Sequence, residues 1–222
     1  MNVRVASLLD GARAATGHAV IVDVFRAFTT AAFCVAAGAR EIVLLSDHDQ
    51  ALAMKKEDQS LFLTGEIGGK PIPGFDAGNS PSVVEHLDLS GRRVVQRSSS
   101  GTQGVVAATR AAAVLLGSFV IAAATARYLR DHASSVTLVA MGDGGTDPNE
   151  EDPACAAYLA SLLGGAPFDV RATIAGLPQW RNERWPEWFP RRDAELACEV
   201  DRFDFALPVT RENGLLIARP AR

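Results

Sequence analysis

The strongest constraint on this chain is an alternation. Between residues 19 and 141, short runs of β-branched and aliphatic residues recur, separated by alanine-rich segments of helical length. Runs at 19–23, 41–45, 61–63, 92–97, 114–117 and 136–141 read as strands. The intervening segments at 27–37, 46–56 (capped by Ser46), 101–113 and 119–131 read as helices. That order predicts an α/β protein, a layered α/β/α fold around a largely parallel or mixed sheet. With 222 residues and 48% hydrophobic content, one compact domain buries roughly 70% of its unfolded surface and needs no disulfide or structural metal. The expected division is a motif-bearing part over 1–164 and a less regular part over 165–222. The latter holds a Trp-rich loop, a helix near 191–198 and a hairpin around 207–217, and completes the single domain 1–222.

Composition removes several function classes. Cys34, Cys155 and Cys198 form no C-x-x-C pair, which argues against a disulfide framework or zinc ribbon and for a reducing cytoplasm. The net charge of −4 has the wrong sign for a domain held to nucleic acid by counterion release. No apolar run approaches the ~20 residues of a membrane span, and the first residues lack the apolar core of a signal peptide. The expected partner is a small anionic substrate, with no nucleic acid and no membrane; a homo-oligomer is compatible with the sequence.

The polar residues fall just after the predicted strands: Asp23 and Arg26, Gly65-Glu66, residues 98–102, Ser118, and the stretch from Asp143 to Asp152. In α/β proteins, strand ends and helix starts converge to bind ligands. The run Arg97-Ser-Ser-Ser-Gly-Thr-Gln-Gly104 offers helix-start N–H groups, hydroxyls and a guanidinium to a phosphate or sulfonate. Ser99, Ser100, Gly101 and Thr102 are its core, although a Ser/Gly turn can also be a plain cap. Asp23, Glu66, Asp76, Asp143, Glu151 and Asp152 are candidate ligands for a hard cation such as Mg²⁺, which needs only one or two carboxylates plus water and phosphate oxygens. The 143–152 stretch does not fit the EF-hand template, and it is expected to end with Asp152 as cap and Pro153 in the first helical position. The Gly- and Pro-rich segment 64–81 is long for a connection without pattern, and long ordered loops carry function.

Two nucleophile patterns fail. Cys34 and Arg40 have C-x5-R spacing, but the surrounding residues are helical and offer no N–H cradle; Cys34 reads as core. Asp23-Val-Phe25 has Phe where haloacid-dehalogenase-type phosphatases carry their second aspartate. Cys155 sits in a helix first turn, where the dipole lowers a thiol pKa, or else packs against Leu159. None of the four histidines forms a ligand pair. Trp180, Trp185, Trp188 and Phe189, mixed with arginines, suggest a flap over the site or a subunit contact.

These residues resemble the 2-phosphosulfolactate phosphatase family. The resemblance lies in the blocks Val22-Asp-Val-Phe-Arg-Ala-Phe-Thr-Thr30, Gly65-Glu66, Gly74-Phe-Asp-Ala-Gly-Asn-Ser-Pro81, Ser99-Ser-Gly-Thr102, Gly117-Ser-Phe119 and Glu151-Asp-Pro-Ala-Cys155. It implies an α/β fold and Mg²⁺-assisted phosphate-ester hydrolysis. The family's polar pattern is met by Asp23, Arg26, Glu66, Asp76, Asn79, Glu151, Asp152 and Cys155. On this basis Asp23, Arg26, Glu66 and Cys155 are expected to be catalytic. Asp23, Asp76, Glu151 and Asp152 are expected to hold the metal, and Asn79, Arg97, residues 99–102 and Ser118 the substrate. Phe28, Ser100 and Arg97 depart from the family pattern, which leaves room for a different phosphorylated hydroxy acid. Arg97 either reaches a second anionic group or points to solvent. The competing class is a non-catalytic anion- or metabolite-binding domain on the same fold.

Overall fold

The structure, a computed structural model, describes residues 1–222. Its strands are β1 (Asn2–Ser7), β2 (His18–Val22), β3 (Glu41–Leu45), β4 (Phe62–Ile67), β5 (Lys70–Pro71), β6 (Arg93–Arg97), β7 (Ala113–Gly117), β8 (Ser135–Ala140), β9 (Leu207–Glu212) and β10 (Leu215–Ala218). They form one mixed sheet in the order β1-β8-β2-β7-β9-β10-β3-β6-β4-β5. The helices are α1 (Leu8–Ala14), α2 (Ala27–Ala36), α3 (His48–Glu57), α4 (Pro81–Val84), α5 (Gly101–Ala107), α6 (Ala122–His132), α7 (Glu151–Leu162), α8 (Val170–Ala175) and α9 (Arg191–Ala197). None is long and apolar enough to cross a membrane.

The sheet consists of two parallel blocks, β1-β8-β2-β7 and β3-β6-β4, joined by the β9–β10 hairpin. The hairpin is antiparallel to β7 on one side and to β3 on the other, so the blocks run in opposite senses. A single edge of strand ends, as in an all-parallel sheet, is therefore not what gathers the polar residues. Strand twist of ~20–25° per neighbour accumulates over the five pairings from β2 to β6 and turns the reversal into a crossing. The C-terminal ends of β2 and β6 then meet: the Gly101 N–H donates to Asp23 Oδ2 at 2.7 Å.

Alternation sorts the apolar side chains into layers. Ala19 and Ile21 of β2 join Ile42, Leu44, Val94, Leu116 and Val139 against α2 and α5, a core shared by both blocks. Val20 and Val22 face the other way, with Leu115 and Leu138, against α6 and α7. Val43, Leu63 and Val95 cover α3. Helix α2 is buried along most of its length, from Ala27 to Cys34. Its two threonines satisfy their hydroxyls on the backbone, Thr29 on Val24 O and Thr30 on Arg26 O.

Several elements differ from expectation. The N-terminal residues form β1 and α1; β1 is an edge strand exposed at most positions, so it lacks apolar alternation. The 64–81 segment is not patternless: β4 runs on to Ile67, turns at Gly68 and Gly69 (φ +57° and +82°) into β5, and Thr64 bridges Ala77. The helix expected over 101–113 stops at Ala107, and the Ala112 N–H donates to Gly17 O, which brings β7 alongside β2. Asp47, not Ser46, caps α3. Helix α7 starts at Glu151, two residues before Pro153.

Candidate active site

A cavity of about 400 Å³ opens where the ends of β2, β4, β6 and β8 meet, lined by Asp23, Arg26, Glu66, Asn79, Ser99, Ser100 and Asp143. Trp188 and Phe189 from the tail form the opposite wall.

Asp23, Glu66 and Asp152 are fixed by backbone N–H groups. Asp23 accepts from Ala27 N–H at 3.2 Å and Gly101 N–H at 2.7 Å. Only glycine permits that approach, since a Cβ at residue 101 would lie 2.7 Å from Asp23 Oδ2 and 2.8 Å from Phe28 Cζ. Glu66 accepts from the Ser99 N–H, from Gly69 N–H at 2.6 Å and from Ser99 Oγ at 3.1 Å. Behind the cavity, Asp152 accepts from Val24 N–H at 2.8 Å and Gly142 N–H at 2.9 Å, tying the turn after β2 to the turn after β8. Glu151 accepts from Asn149 and Gln179 side-chain amides. The N–H groups expected to cradle a phosphate are thus held by the protein's own carboxylates.

Burial pushes the Asp23 carboxyl up to about 7 against its two N–H donors, helped by the charges of Glu66 and Glu151. It does the same to Glu151, also to about 7. Asp152 is raised well above the usual range by burial and by its acidic neighbours Asp23 and Glu151, and burial raises Asp143. Acidic groups that share a buried site cannot all ionise cheaply.

Arg26 spans the two walls. Its Nη1 donates to Asp193 Oδ2 at 2.9 Å and to Trp188 O at 2.5 Å, and its Nη2 to Gly69 O at 2.9 Å. The Phe189 ring centroid lies 4.5 Å from Cζ. On the same side, Gln96 Nε2 donates to Ala27 O and to Asn79 Oδ1. This fixes the Asn79 amide with its nitrogen buried and without a protein partner.

Other expected site residues lie elsewhere. Asp76 accepts from Lys55 Nζ at 2.9 Å and Leu63 N–H at 2.7 Å, away from the cavity. Arg97 neither faces the cavity nor points to solvent: it donates to Glu66 O, Ser46 O and Ser99 Oγ, a brace behind the carboxylate loop. Thr102 serves the Ser98 turn, exchanging hydrogen bonds with that residue's backbone. Ser118 is buried with its hydroxyl unpaired, outside the cavity lining. Cys155 is buried in the core, and burial and the Asp152 charge push its thiol up, the reverse of the helix-dipole expectation. Cys34 is core as expected, its thiol pushed up by burial to about 12. Glu151 and Asp152 stand behind the cavity wall, whereas Asp143, a weaker candidate in sequence, faces it. Asp193 carried no sequence signal at all, being one acid in an arginine-rich helix 167 residues from its partner.

The donors suit a hard cation. All are oxygens, with no thiolate or imidazole in the lining, and carboxylates disfavoured by burial are those a dication would relieve. No three acidic, His or Cys side chains are gathered closely enough to hold an ion by themselves. Mg²⁺, which keeps waters and binds one or two carboxylates together with phosphate oxygens, fits such an arrangement.

The family model for 2-phosphosulpholactate phosphatase matches residues 5–177. A relative from Carboxydothermus hydrogenoformans is 40% identical over 146 residues, covering 65% of this chain and 59% of its own length. One from Deinococcus radiodurans is 38% identical over 157 residues, covering 68% and 64%. One from Synechococcus sp. RCC307 is 34% identical over 184 residues, covering 80% and 74%. Each is named "Probable 2-phosphosulfolactate phosphatase". The matched stretch spans 59%, 62% and 64% of the relatives from Carboxydothermus hydrogenoformans, Caldicellulosiruptor saccharolyticus and Bacillus subtilis. The matched residues 5–177 contain the strand ends that bring Asp23, Glu66, Asn79, Ser99 and Asp143 to one cavity, and by that match the chain belongs to the 2-phosphosulpholactate phosphatase family.

Proposed function

We propose that the chain is a Mg²⁺-dependent phosphatase acting on a small phosphorylated hydroxy acid, converting 2-phosphosulfolactate to sulfolactate and phosphate. Its three unpaired thiols suit a reducing cytoplasm. The observation that carries the reading is the charge of the cavity. Asp23, Glu66 and Asp143 line it against a single arginine that is already paired with Asp193. A polyanionic substrate would be repelled there without a bound cation.

Glu66 and Asp143, which face the cavity beside Asp23, would hold the Mg²⁺ together with water and phosphate oxygens, while Asp152 ties together the backbone turns behind them. When bound, the ion supplies positive charge and Lewis-acid polarisation of a phosphoryl oxygen. The remaining work falls to the chain. Arg26 keeps its Nε–H and one Nη2–H for the transferring group. Rotation of Glu66 away from the Ser99 and Gly69 N–H groups frees two donors for phosphoryl oxygens. The Asp23 carboxylate, with a proton affinity near neutrality, takes a proton from the attacking water as the new P–O bond forms. Because attacking and leaving oxygens lie on opposite faces of phosphorus, the ester oxygen takes its proton from a water on its own side as the old P–O bond breaks. Trp188 and Phe189 keep bulk water from the reacting group.

A phosphate-release screen over phosphorylated hydroxy acids tests the reading. Release with Mg²⁺ that disappears on chelation and returns with the ion is the expected result. Undiminished release after thorough chelation removes the metal from the mechanism, and anion binding without release favours the non-catalytic class.

A further inference from the structure

We propose that Asp193 is a positioning residue, supplied by the tail beyond the family-matched stretch, that sets Arg26 and the Asn79 turn at the cavity. The proposal rests on the reading of this cavity as the catalytic site.

Asp193 is fully buried, and its two oxygens face different parts of that site. Oδ2 accepts from Arg26 Nη1 at 2.9 Å. Oδ1 accepts from Ser80 Oγ at 2.8 Å, Ser82 N–H at 3.0 Å and Ser82 Oγ at 2.6 Å. Ser80 follows Asn79, whose unpartnered amide nitrogen is the other polar group on that wall. One carboxylate therefore fixes both the guanidinium and the turn that carries the amide.

The guanidinium has five N–H donors. Asp193 and Trp188 O take both of those on Nη1, and Gly69 O takes one on Nη2. The donors left over, Nε–H and one Nη2–H, are the ones available to a phosphoryl, sulfonate or carboxylate oxygen in the cavity. Without Asp193 the planar group keeps only the Trp188 and Gly69 carbonyls and the Phe189 ring, and its remaining donors lose their aim. An aiming error of about 1 Å costs on the order of 100-fold in rate.

Purified full-length protein and its Asp193→Asn, Asp193→Glu, Arg26→Ala and Arg26→Ala/Asp193→Asn variants are compared. The readouts are kcat and KM for 2-phosphosulfolactate and, without turnover, inorganic phosphate binding by calorimetry. Asp193→Asn should lower kcat/KM by about 10- to 100-fold and weaken phosphate binding, yet cost several-fold less once Arg26 is alanine, when only its hold on the Asn79 turn remains to be lost. Guanidinium ion should partly restore Arg26→Ala and not the double variant. Equal losses from Asp193→Asn in both backgrounds would show that it acts independently of Arg26 and overturn the proposal. Should the Asn variant fail to fold, Asp193→Glu, which keeps the charge but displaces it, is expected to show the same coupling, and its absence overturns the proposal equally. If the parent protein hydrolyses nothing, the functional reading fails on its own, and the same cycle read on phosphate binding still decides the role of Asp193.

Discussion

The two walls of the cavity are built on different principles. One is made of the ends of β2, β4, β6 and β8, with the Asp23 and Glu66 carboxylates pinned by neighbouring N–H groups, so its geometry is inherited from the sheet. The other, Trp188 and Phe189, belongs to a stretch with little regular structure and reaches the cavity through Arg26 and Asp193, the Phe25 ring and the packing of Trp188 on Gly69. On the proposed function, chemistry falls to the first wall and enclosure to the second. The first wall falls within the family-matched residues 5–177, while Trp188, Phe189 and Asp193 lie beyond them.

That contrast can be broken most forcefully on the first wall. Asp23→Asn should reduce kcat by ~10²–10³-fold or more, the scale of removing a group that acts on developing charge, while circular dichroism stays unchanged; near-normal turnover would move the chemistry elsewhere. On the tail wall, Phe189→Ala removes a ring–guanidinium contact worth ~1–2 kcal/mol, or roughly 5- to 30-fold. The loss should fall mainly on KM, and a pure kcat effect would place Phe189 in the chemistry instead.

A third expectation concerns stability. Asp23 and Glu151 bind protons more tightly folded, at about 7, than unfolded, at about 4. Their contribution is therefore fully present below about pH 4 and is lost as pH rises through about 7. Glu212, pulled down to about 2 by its hydrogen bond from Arg219, titrates below that window and does not mask it. Calorimetry of metal-free protein should give a Tm that falls from pH ~5 to pH ~8, and Mg²⁺ should recover more of it at the upper end. A Tm rising over this range would contradict the burial of ionised acids described here. The smallest effect is expected behind the first wall: Arg97→Ala should change kcat/KM by less than about 3-fold, and equally for a simple phosphate monoester and a dianionic acid. A selective loss on the latter would return Arg97 to substrate recognition.

What could be read from the chain follows the same division. Asp23, Glu66 and Ser99–Gly101 are legible because each follows an apolar run, and position after a strand is a sequence property. Arg97 also stands at a strand end, and Asp76 in the loop expected to carry function, yet neither faces the cavity, since the direction of a side chain depends on partners such as Lys55 and the carbonyl of residue 66. Cys155 illustrates a second limit: first-turn position suggests a lowered thiol pKa, but packing against the sheet decides the outcome. Strand β1 escaped because an exposed edge strand needs no apolar alternation, and Asp193 because its meaning lies entirely in residues distant along the chain. The opposed blocks were illegible for the same reason, as nothing local tells a C-terminal hairpin to enter the middle of a sheet.

That hairpin has a consequence for how the molecule comes into being. Residues 207–218 are translated after every strand of both parallel blocks, yet they fill the seam between β7 and β3. Until they arrive, both edges present unpaired N–H and C=O groups, the templates on which strands of other molecules add. The nascent chain therefore carries two finished half-sheets with sticky inner margins for the time needed to translate everything after β8. Long-range closure of this kind is slow and exposed to misassembly. A translational pause between the end of β8 and the end of β10 would lengthen that exposure.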